Sequence, residues 1–338
     1  MKILIVKMSS MGDVVHALPA LTDALAFRSD LVVDWCVEST FAPIVRLHPG
    51  VRKVHEIRLR TWKKKLFRRS NWQEARALIR ALRSERYDLV IDAQGLLKSA
   101  IVARLAGAPV AGMDASSARE GTAARLYGRR IAVSRELHAI DRLRLLFGHI
   151  LNYQPDLAHI DYGLLPPETP PGTTPTAILL HGTTWASKRW STANWIELAR
   201  SLTERGYRPE LTFSDAEEEK VARAIAEGAP GARIVPKMQL NEVAAWIGAA
   251  SLVVGCDSGL THLAAAFGRP TLALFLSTRP ELTGVVGQRA TVIEADIACA
   301  PCRSRTCPKV PAGETQPCVG TVPAALVLKR AMLLVAAS

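Results

Sequence analysis

Three segments of the sequence place hydroxyl, charged and glycine residues directly after an apolar run, where a strand would end. The first is Lys7–Asp13, which reads KMSSMGD and follows the apolar run at the start of the chain. Ser9 and Ser10 supply small hydroxyl groups, and the Asp13 carboxylate could accept a proton from a substrate hydroxyl as a general base. The same aspartate could instead cap a helix, because Asp is favoured near helix N-termini. This segment does not contain the G-x-G-x-x-G pattern of dinucleotide-binding turns.

The second segment is His181–Trp190, which reads HGTTWASKRW. Thr183 and Thr184 provide hydroxyls, and Lys188 could neutralise a phosphate as a point charge. The order of residues is not that of a Walker A loop, which requires Gly-Lys followed by Ser or Thr. Lys188 could also be an ordinary surface lysine, as most lysines are.

The third segment is Gly255–His262, which reads GCDSGLTH and leads into an apolar helical pattern. The backbone amides at the start of that helix would form an anion site suited to a diphosphate. Ser258 and Gly259 are small enough for a ligand to approach the backbone closely. Asp257 could hold a sugar hydroxyl or cap the helix, and His262 could contact a ligand or be a core histidine.

These segments are positioned by strand patterns that alternate with helix patterns. In the first half we predict strands at Lys2–Val6, Leu31–Val37, Val54–Leu59 and Leu89–Ile91. The helices between and after them are predicted at Asp13–Phe27, Phe41–Leu47, Trp72–Glu85 and Lys98–Leu105. Alternation of this kind predicts a parallel sheet covered by helices on both faces.

A stretch rich in Pro, Gly and Thr, residues 164–176, is the best candidate linker, and the same alternation restarts after it. We predict strands at Ala177–Leu180, Pro209–Phe213, Leu252–Cys256 and Thr271–Phe275, and helices at Thr192–Arg205, Ala216–Ile225, Asn241–Ala249, Leu260–Phe267 and Val322–Val335. The predicted fold is α/β, with two Rossmann-like domains, 1–165 and 176–320, facing a central cleft. Ligands bind such sheets outside the carboxyl ends of the strands.

The positive charge of the chain is concentrated in its first half. The formal net charge is +12, and residues 1–165 carry +10 of it. The excess peaks over Arg52–Arg69, where nine cations accompany one acid, Glu56. This field would attract an anionic substrate, a membrane surface or nucleic acid, although a charge run can also be a solvated face.

Trp62, Phe67 and Trp72 interleave with these cations, a pattern that single-stranded nucleic-acid binders also show. A nucleic-acid-binding protein is nevertheless the weaker alternative, because it leaves the segments at 181–190 and 255–262 without a role. Mean hydropathy is +0.11, and no apolar run approaches the roughly 18 residues of a membrane span. The short apolar start is also too short for a signal peptide, so we predict a cytoplasmic location.

The six cysteines fall into two groups. Cys36 and Cys256 lie in apolar runs and are predicted to be small core residues. The other four lie near the end of the chain at Cys299, Cys302, Cys307 and Cys318. Their C-x-x-C opening is typical of metal sites, but the later spacings are not those of a common zinc ribbon. Structural zinc therefore competes with free thiols or disulfides for this cluster.

Three motifs in order resemble the lipopolysaccharide heptosyltransferases, and among them heptosyltransferase I. The motifs are VKMSSMGDVVHALP at 6–19, IDAQGLLKS at 91–99 and CDSGLTHL at 256–263, and the similarity runs from the first strand to about residue 285. The first two motifs favour the first heptosyltransferase over the second. The open alternatives within the fold are heptosyltransferase II and another inner-core sugar transferase.

The resemblance implies a GT-B fold and an inverting, metal-independent glycosyl transfer. Heptose would move from ADP-L-glycero-β-D-manno-heptose to a Kdo residue of Kdo2-lipid A, with no cofactor, on the cytoplasmic face of the inner membrane. The enzyme would be peripheral to that anionic surface and would not bind nucleic acid. In this fold the last segment, 321–338, would cross back to the first domain.

The resemblance also assigns roles to residues. Asp13 would be the general base, and Lys188 would offset the charge on departing ADP, assisted by Thr184 and the amides at 258–260. Other donor-binding positions would be Ser9, Ser10, Thr183, Asp257, Ser258, Gly259 and His262. The adenosine ribose would be held by Glu218 or one of its neighbours, Glu217 and Glu219. The acceptor would meet Arg60, Lys64 and Arg119.

Overall fold

The computed structural model describes residues 1–64, 69–167, 174–311 and 313–336. The chain divides into two compact units, Met1–Leu165 and Pro166–Ser338. Each unit contains one six-stranded sheet in which every strand pair is parallel. Helices connect the strands, as parallel pairing requires. The predicted α/β class with two Rossmann-like domains is confirmed.

The first unit has the strand order β3-β2-β1-β4-β5-β6. Its strands are β1 (Lys2–Val6), β2 (Val32–Glu38), β3 (Val51–Ile57), β4 (Leu89–Asp92), β5 (Val110–Met113) and β6 (Arg129–Ile131). Its helices are α1 (Met11–Val15), α2 (Leu18–Phe27), α3 (Ala42–Val45), α4 (Leu59–Lys64), α5 (Arg69–Ser84), α6 (Leu97–Leu105) and α7 (Ala139–Leu151), with 3-10 turns at Ser39–Phe41 and Gly121–Leu126. The strand order reverses between β1 and β4, and this switch point is where such sheets bind ligands.

The strand β1 lies inside the sheet, between β2 and β4, and is apolar on both faces. The side chains from Ile3 to Val6 are fully buried, and Ile5 lies opposite Trp35 on one side and Ile91 on the other. Strands covered on both faces are continuous apolar runs of this kind. The polar residues that follow β1 therefore emerge at the carboxyl edge of the sheet.

The second unit has the strand order β12-β11-β10-β7-β8-β9. Its strands are β7 (Thr176–Leu180), β8 (Arg208–Leu211), β9 (Arg233–Ile234), β10 (Leu252–Cys256), β11 (Thr271–Phe275) and β12 (Ala290–Glu294). Its helices are α8 (Thr192–Glu204), α9 (Ala216–Gly228), α10 (Leu240–Gly248), α11 (Gly259–Ala266), α12 (Pro280–Thr283) and α13 (Ala324–Ala336), with 3-10 turns at Ala186–Lys188 and Pro317–Thr321. The switch point lies between β7 and β10.

The final helix α13 packs on α8 and on β10, β11 and β12 of the second unit. Val327 and Ala331 on this helix are fully buried in the core of that unit. The apolar pattern at the end of the chain is thus accounted for by packing. A crossing of residues 321–338 to the first unit stays a prediction.

Several element bounds differ from those predicted. The helix predicted over Asp13–Phe27 is divided into α1 and α2, with Pro19 near the start of α2, where its missing amide hydrogen costs nothing. The third strand is Val51–Ile57 and not Val54–Leu59, since Leu59 already begins a helix. The predicted helix over Phe41–Leu47 is a 3-10 turn followed by the short α3.

Four strands were not predicted, namely β5, β6, β9 and β12. β9 has only two residues, and two of the three residues in β6 are exposed arginines. β5 contains Ala and Gly, which have little strand preference of their own. These strands are defined by their neighbours in the sheet more than by their own sequences. Among the described residues, no helix combines the length and the apolar character needed to cross a membrane.

Candidate active site

The Asp13 carboxylate lies at the carboxyl edge of the first sheet, in the turn between β1 and α1. Its Oδ2 atom accepts hydrogen bonds from the backbone amide and the hydroxyl of Ser10, each at 2.8 Å. Through the bond from the Ser10 amide, Asp13 caps the start of α1. About a third of its side chain is nevertheless exposed, so the carboxylate is accessible to solvent. The capping role and the chemical role are therefore compatible. The Ser9 hydroxyl, in the same turn, lies 3.5 Å from the side-chain amide nitrogen of Gln94.

Positive charge keeps Asp13 ionised. Burial alone would raise the pKa of Asp13, but Lys7, the two hydrogen bonds from Ser10 and the guanidinium of Arg119 together lower it. The Arg119 Nη1 atom lies 3.9 Å from Asp13 Oδ2. An ionised, partly exposed carboxylate of this kind can take a proton from a hydroxyl group.

Lys7 is a buried cation next to this carboxylate. Its Nζ atom donates to the backbone carbonyl of Ala93 at 3.0 Å, and burial lowers its pKa against the attraction of Asp13 and Asp92. The turn after β4 supports the neighbouring backbone, because the Gln94 side chain accepts from the Met8 amide at 2.7 Å. The motif segments at 6–19 and 91–99 thus meet at the switch point of the first sheet.

Asp92 fixes the turn after β4. It is fully buried and accepts hydrogen bonds from the Tyr127 and Ser99 hydroxyls at 2.7 and 2.8 Å and from the amides of Gln94 and Gly95. Burial raises the pKa of Asp92 despite these bonds. Gly95 adopts φ +68°, which favours glycine, and Arg119 lies directly against it. Asp92 is therefore part of the framework that positions the site.

In the second unit, Lys188 and Asp257 form an ion pair at the switch point. The Lys188 Nζ atom lies 2.6 Å from Asp257 Oδ2, and only 15% of the lysine side chain is exposed. The Thr278 hydroxyl donates to the same oxygen at 2.6 Å, and His262 Nε2 lies 3.6 Å from Oδ1. Lys188 is therefore not an ordinary surface lysine. Asp257, which follows β10, contacts Lys188 after β7 and Thr278 after β11.

The pair has a measurable electrostatic signature. Burial would raise the pKa of Asp257, but His262 and Lys188 outweigh it and lower the pKa to about 2. A carboxyl with a depressed pKa stabilises the folded state above its unfolded pKa, and this contribution disappears as pH falls from about 4 to about 2. We expect Asp257→Asn to cost about 2 kcal/mol in urea unfolding at pH 7. The difference from the unmodified chain should shrink toward pH 3; a difference independent of pH would contradict the assigned pairing.

The start of α11 lies beside this pair. Ser258 directs its hydroxyl to Thr261 Oγ1 at 3.0 Å, and Thr261 in turn donates to the Cys256 carbonyl at 2.6 Å. Thr183 donates to the Asp257 carbonyl at 3.0 Å and is buried, whereas Thr184 is exposed. The amides at 258–260, at the positive end of the helix dipole, form a geometry suited to anions.

The three tandem acids at 217–219 have different surroundings in the structure. The Glu218 carboxylate accepts from the Ser214 amide and hydroxyl at 2.8 and 2.7 Å, and it lies so close to Gly182 that a β-carbon there would clash. Glu219 instead pairs with Arg223 one turn along the helix, and Glu217 is exposed. Glu218 is thus held beside the turn after β7.

The residues predicted for the acceptor are less organised. Arg60 lies over the Phe41 ring at 5.3 Å, and its amide donates to Glu38 Oε1 at 2.9 Å. Arg119 is mostly exposed beside Asp13. Lys64 ends α4, but its side chain lies outside the described residues, as do residues 65–68 of the basic run.

Part of the basic run has a structural role. Arg52 pairs with Asp34 and Glu85, and Lys53 also pairs with Glu85. Arg46, outside the run, neutralises Glu56. The field available to an anion is therefore smaller than the sequence count suggests.

Sequence reasoning gave no role to Lys7, Gln94 or Thr278. Lys7 could have been found from the sequence, because a cation directly after a buried strand is a signal of a functional position. Gln94 lies inside the motif at 91–99, which indicated the family but no role for this residue. Thr278 follows β11 closely, so its position after a buried strand is a signal of the same kind. Cys36 and Cys256 are buried, as predicted.

Comparisons with known proteins show similarity to one group of enzymes in sequence and in fold. The model of glycosyltransferase family 9 (heptosyltransferase) matches residues 75–312. The chain is 42% identical over 318 residues to lipopolysaccharide heptosyltransferase 1 of Pseudomonas aeruginosa, covering 93% of this chain and 89% of that one.

Two solved structures are also similar over both units. E. coli heptosyltransferase WaaC with ADP has a TM-score of 0.84 and 39% identity, covering 88% of this chain and 94% of that one. E. coli heptosyltransferase WaaC with ADP-2-deoxy-2-fluoro heptose has a TM-score of 0.82 and 36% identity, covering 97% and 98%.

Proposed function

Because the chain belongs to glycosyltransferase family 9, the heptosyltransferases, we propose that it transfers heptose from ADP-heptose to a Kdo residue of the lipopolysaccharide inner core. The family resemblance inferred from the three motifs is confirmed. The donor is supported by the similar enzyme solved with an ADP-heptose analogue. The acceptor is Kdo2-lipid A, as for an enzyme that adds the first heptose.

The reaction is a single displacement at the anomeric carbon. A hydroxyl oxygen of Kdo attacks that carbon, its proton passes to the Asp13 carboxylate, and the bond to the diphosphate oxygen of ADP breaks. The depressed pKa of Asp13 is adequate because the hydroxyl becomes strongly acidic only as the new carbon–oxygen bond forms. Ser10 holds the receiving oxygen in place through two hydrogen bonds.

The second unit binds the donor and stabilises the leaving group. Negative charge grows on the diphosphate as the glycosidic bond breaks, and Lys188 and the amides at the start of α11 are placed to meet it. Asp257 and His262 contact the sugar side, and Glu218 holds the ribose. Contacts that strengthen as charge develops lower the barrier more than they tighten substrate binding.

The first unit binds the anionic acceptor. Kdo carries a carboxylate and lipid A carries phosphates, so the excess of cations in residues 1–165 complements both. Arg119 is the cation beside the base, and Arg60 and Lys64 lie in the basic run. The same excess supports peripheral attachment to the anionic cytoplasmic face of the inner membrane.

One observation carries this proposal: both sheets present charged side chains at their switch points, Asp13 in one and the Lys188–Asp257 pair in the other. We expect transfer from ADP-heptose to Kdo2-lipid A. An acceptor already bearing the first heptose should give at least tenfold less product, as should UDP- or GDP-linked sugars. Mass spectrometry of the product measures this directly. Preference for the heptosylated acceptor would assign the chain to the second step instead.

A further inference from the structure

Four cysteines near the end of the chain lie around one small cavity in the second unit. Cys299, Cys302, Cys307 and Cys318 are all half-buried free thiols. They line a cavity of about 30 Å³ together with residues that include Leu276, Ser187 and Gln316. A space of this volume holds a single ion or one water molecule.

The cavity brings together four thiols, which form only weak hydrogen bonds with one another. If ionised, four sulfurs around a space of this size would repel one another. A bound cation reverses this, because it favours all four ionised sulfurs at once. The sequence also begins the cluster with C-x-x-C, the spacing with which metal sites present two sulfurs to one ion.

We propose that Cys299, Cys302, Cys307 and Cys318 bind one zinc ion as four thiolates. Four sulfur ligands leave no open position, so the site is structural and the zinc is not part of the transfer chemistry. Binding displaces the thiol protons to solvent and forms four zinc–sulfur bonds, with no change of oxidation state. The metal site itself is independent of the proposed glycosyl transfer, whereas its effect on ADP binding rests on that proposal.

The thiols must move inward to close the site. Zinc–sulfur bonds of about 2.3 Å place tetrahedral sulfurs roughly 3.8 Å apart. Within the described part of the chain, no three of these sulfurs lie within 4.8 Å of one another. The metal would therefore tighten the segment from Cys299 to Cys318, whose described residues contain little regular secondary structure before the 3-10 turn that begins at Pro317.

This segment supports the loop that carries Lys188. The Ser187 amide donates to the Arg305 carbonyl at 3.2 Å, and the Ser187 hydroxyl donates to the Ser304 carbonyl. The Gln316 side chain donates to the carbonyls of Ala186 and Arg189 at 3.2 and 2.8 Å. Residues on both sides of Lys188 are thus fastened to the segment between the cysteines.

The segment also fastens the turn after β11. The Arg303 amide donates to the Ser277 carbonyl at 2.8 Å, and the next residue, Thr278, holds Asp257. Zinc would therefore position both members of the Lys188–Asp257 pair through the segment. Loss of zinc should loosen this pair and weaken ADP binding, while the first unit remains unaffected.

The test is the metal content of the full chain, purified in a reducing buffer without chelator and measured by plasma mass spectrometry. We expect about one zinc per chain, falling below about a tenth in Cys302→Ser and Cys318→Ser. Cys36→Ala, which removes a core thiol of the first unit, should keep the metal. Cobalt substitution should give the absorption of a tetrahedral thiolate site in the unmodified chain but not in the two serine variants.

Failure of the proposal is visible without any activity assay. A soluble, reduced chain that contains no metal and takes up neither zinc nor cobalt would overturn it, as would full metal content in both serine variants. If metal is present, calorimetry with ADP tests the positioning role. Chelation should weaken ADP binding and added zinc should restore it; unchanged ADP affinity in the stripped chain would refute that role.

Discussion

Asp13→Asn should lower the rate of heptose transfer about a thousandfold while leaving ADP-heptose binding essentially unchanged. The amide keeps an oxygen that can accept from Ser10, so the turn and the start of α1 are preserved. It cannot take the proton of the acceptor hydroxyl, and loss of a positioned general base typically costs 10²–10⁴ in rate. Initial rates with Kdo2-lipid A and calorimetry with ADP-heptose measure the two quantities separately.

The matched control is Asp30→Asn in the same unit. Asp30 pairs with Arg28 and the N-terminal amine, is more than half exposed, and lies near the amino end of β1, opposite the candidate site. Its loss should leave the rate of transfer unaltered. Retained turnover in Asp13→Asn, or an equal loss in both variants, would refute the general-base assignment.

Lys188→Ala should reduce kcat/KM for ADP-heptose by about 10²–10³-fold, with much of the loss in kcat. In the proposed mechanism the lysine meets charge that develops only as ADP departs, so its removal should affect the transition state more than the bound donor. The substitution also leaves Asp257 without its cation, and in the proposed mechanism this adds unfavourable charge next to the diphosphate. Steady-state kinetics with varied ADP-heptose separates the effects on kcat and KM.

Lys220→Ala is the comparable change on an exposed face of α9 and should leave both constants within about twofold, as surface charges contribute little. Lys188→Arg keeps the charge but replaces a compact ammonium by a planar group, so partial activity is expected. Full activity in Lys188→Ala would show that the leaving group is stabilised elsewhere.

Most of the candidate site could be predicted from the sequence, because ligands bind parallel sheets at the carboxyl ends of their strands. Asp13, Lys188 and Asp257 each follow an apolar run, and each lies at the carboxyl edge of a parallel sheet. The pairing of Lys188 with Asp257 was not predictable, because the two residues are far apart in the chain and meet only when β7 and β10 become neighbours. Spacing along the sequence carries no information on that adjacency.

Other features depended on packing that the sequence does not encode locally. Three consecutive acids at 217–219 were indistinguishable in the sequence, and only the structure shows that the Glu218 carboxylate lies beside Gly182 in the turn after β7. The basic run was read as a single anion-attracting surface, but Arg52 and Lys53 are engaged by Asp34 and Glu85 from other strands and loops. Charge counts along a chain do not reveal such distant partners.

The stereochemistry of the new linkage tests most directly whether one displacement, assisted by Asp13 as a base, makes the product. A donor with a β-linked heptose should give an α-linked heptosyl-Kdo product, because the acceptor oxygen attacks the face opposite the departing ADP. The one-bond carbon–hydrogen coupling at the new anomeric centre, measured by NMR, distinguishes the two anomers. An α linkage is the predicted result; a β linkage would mean retention and would contradict direct displacement with Asp13 as the base.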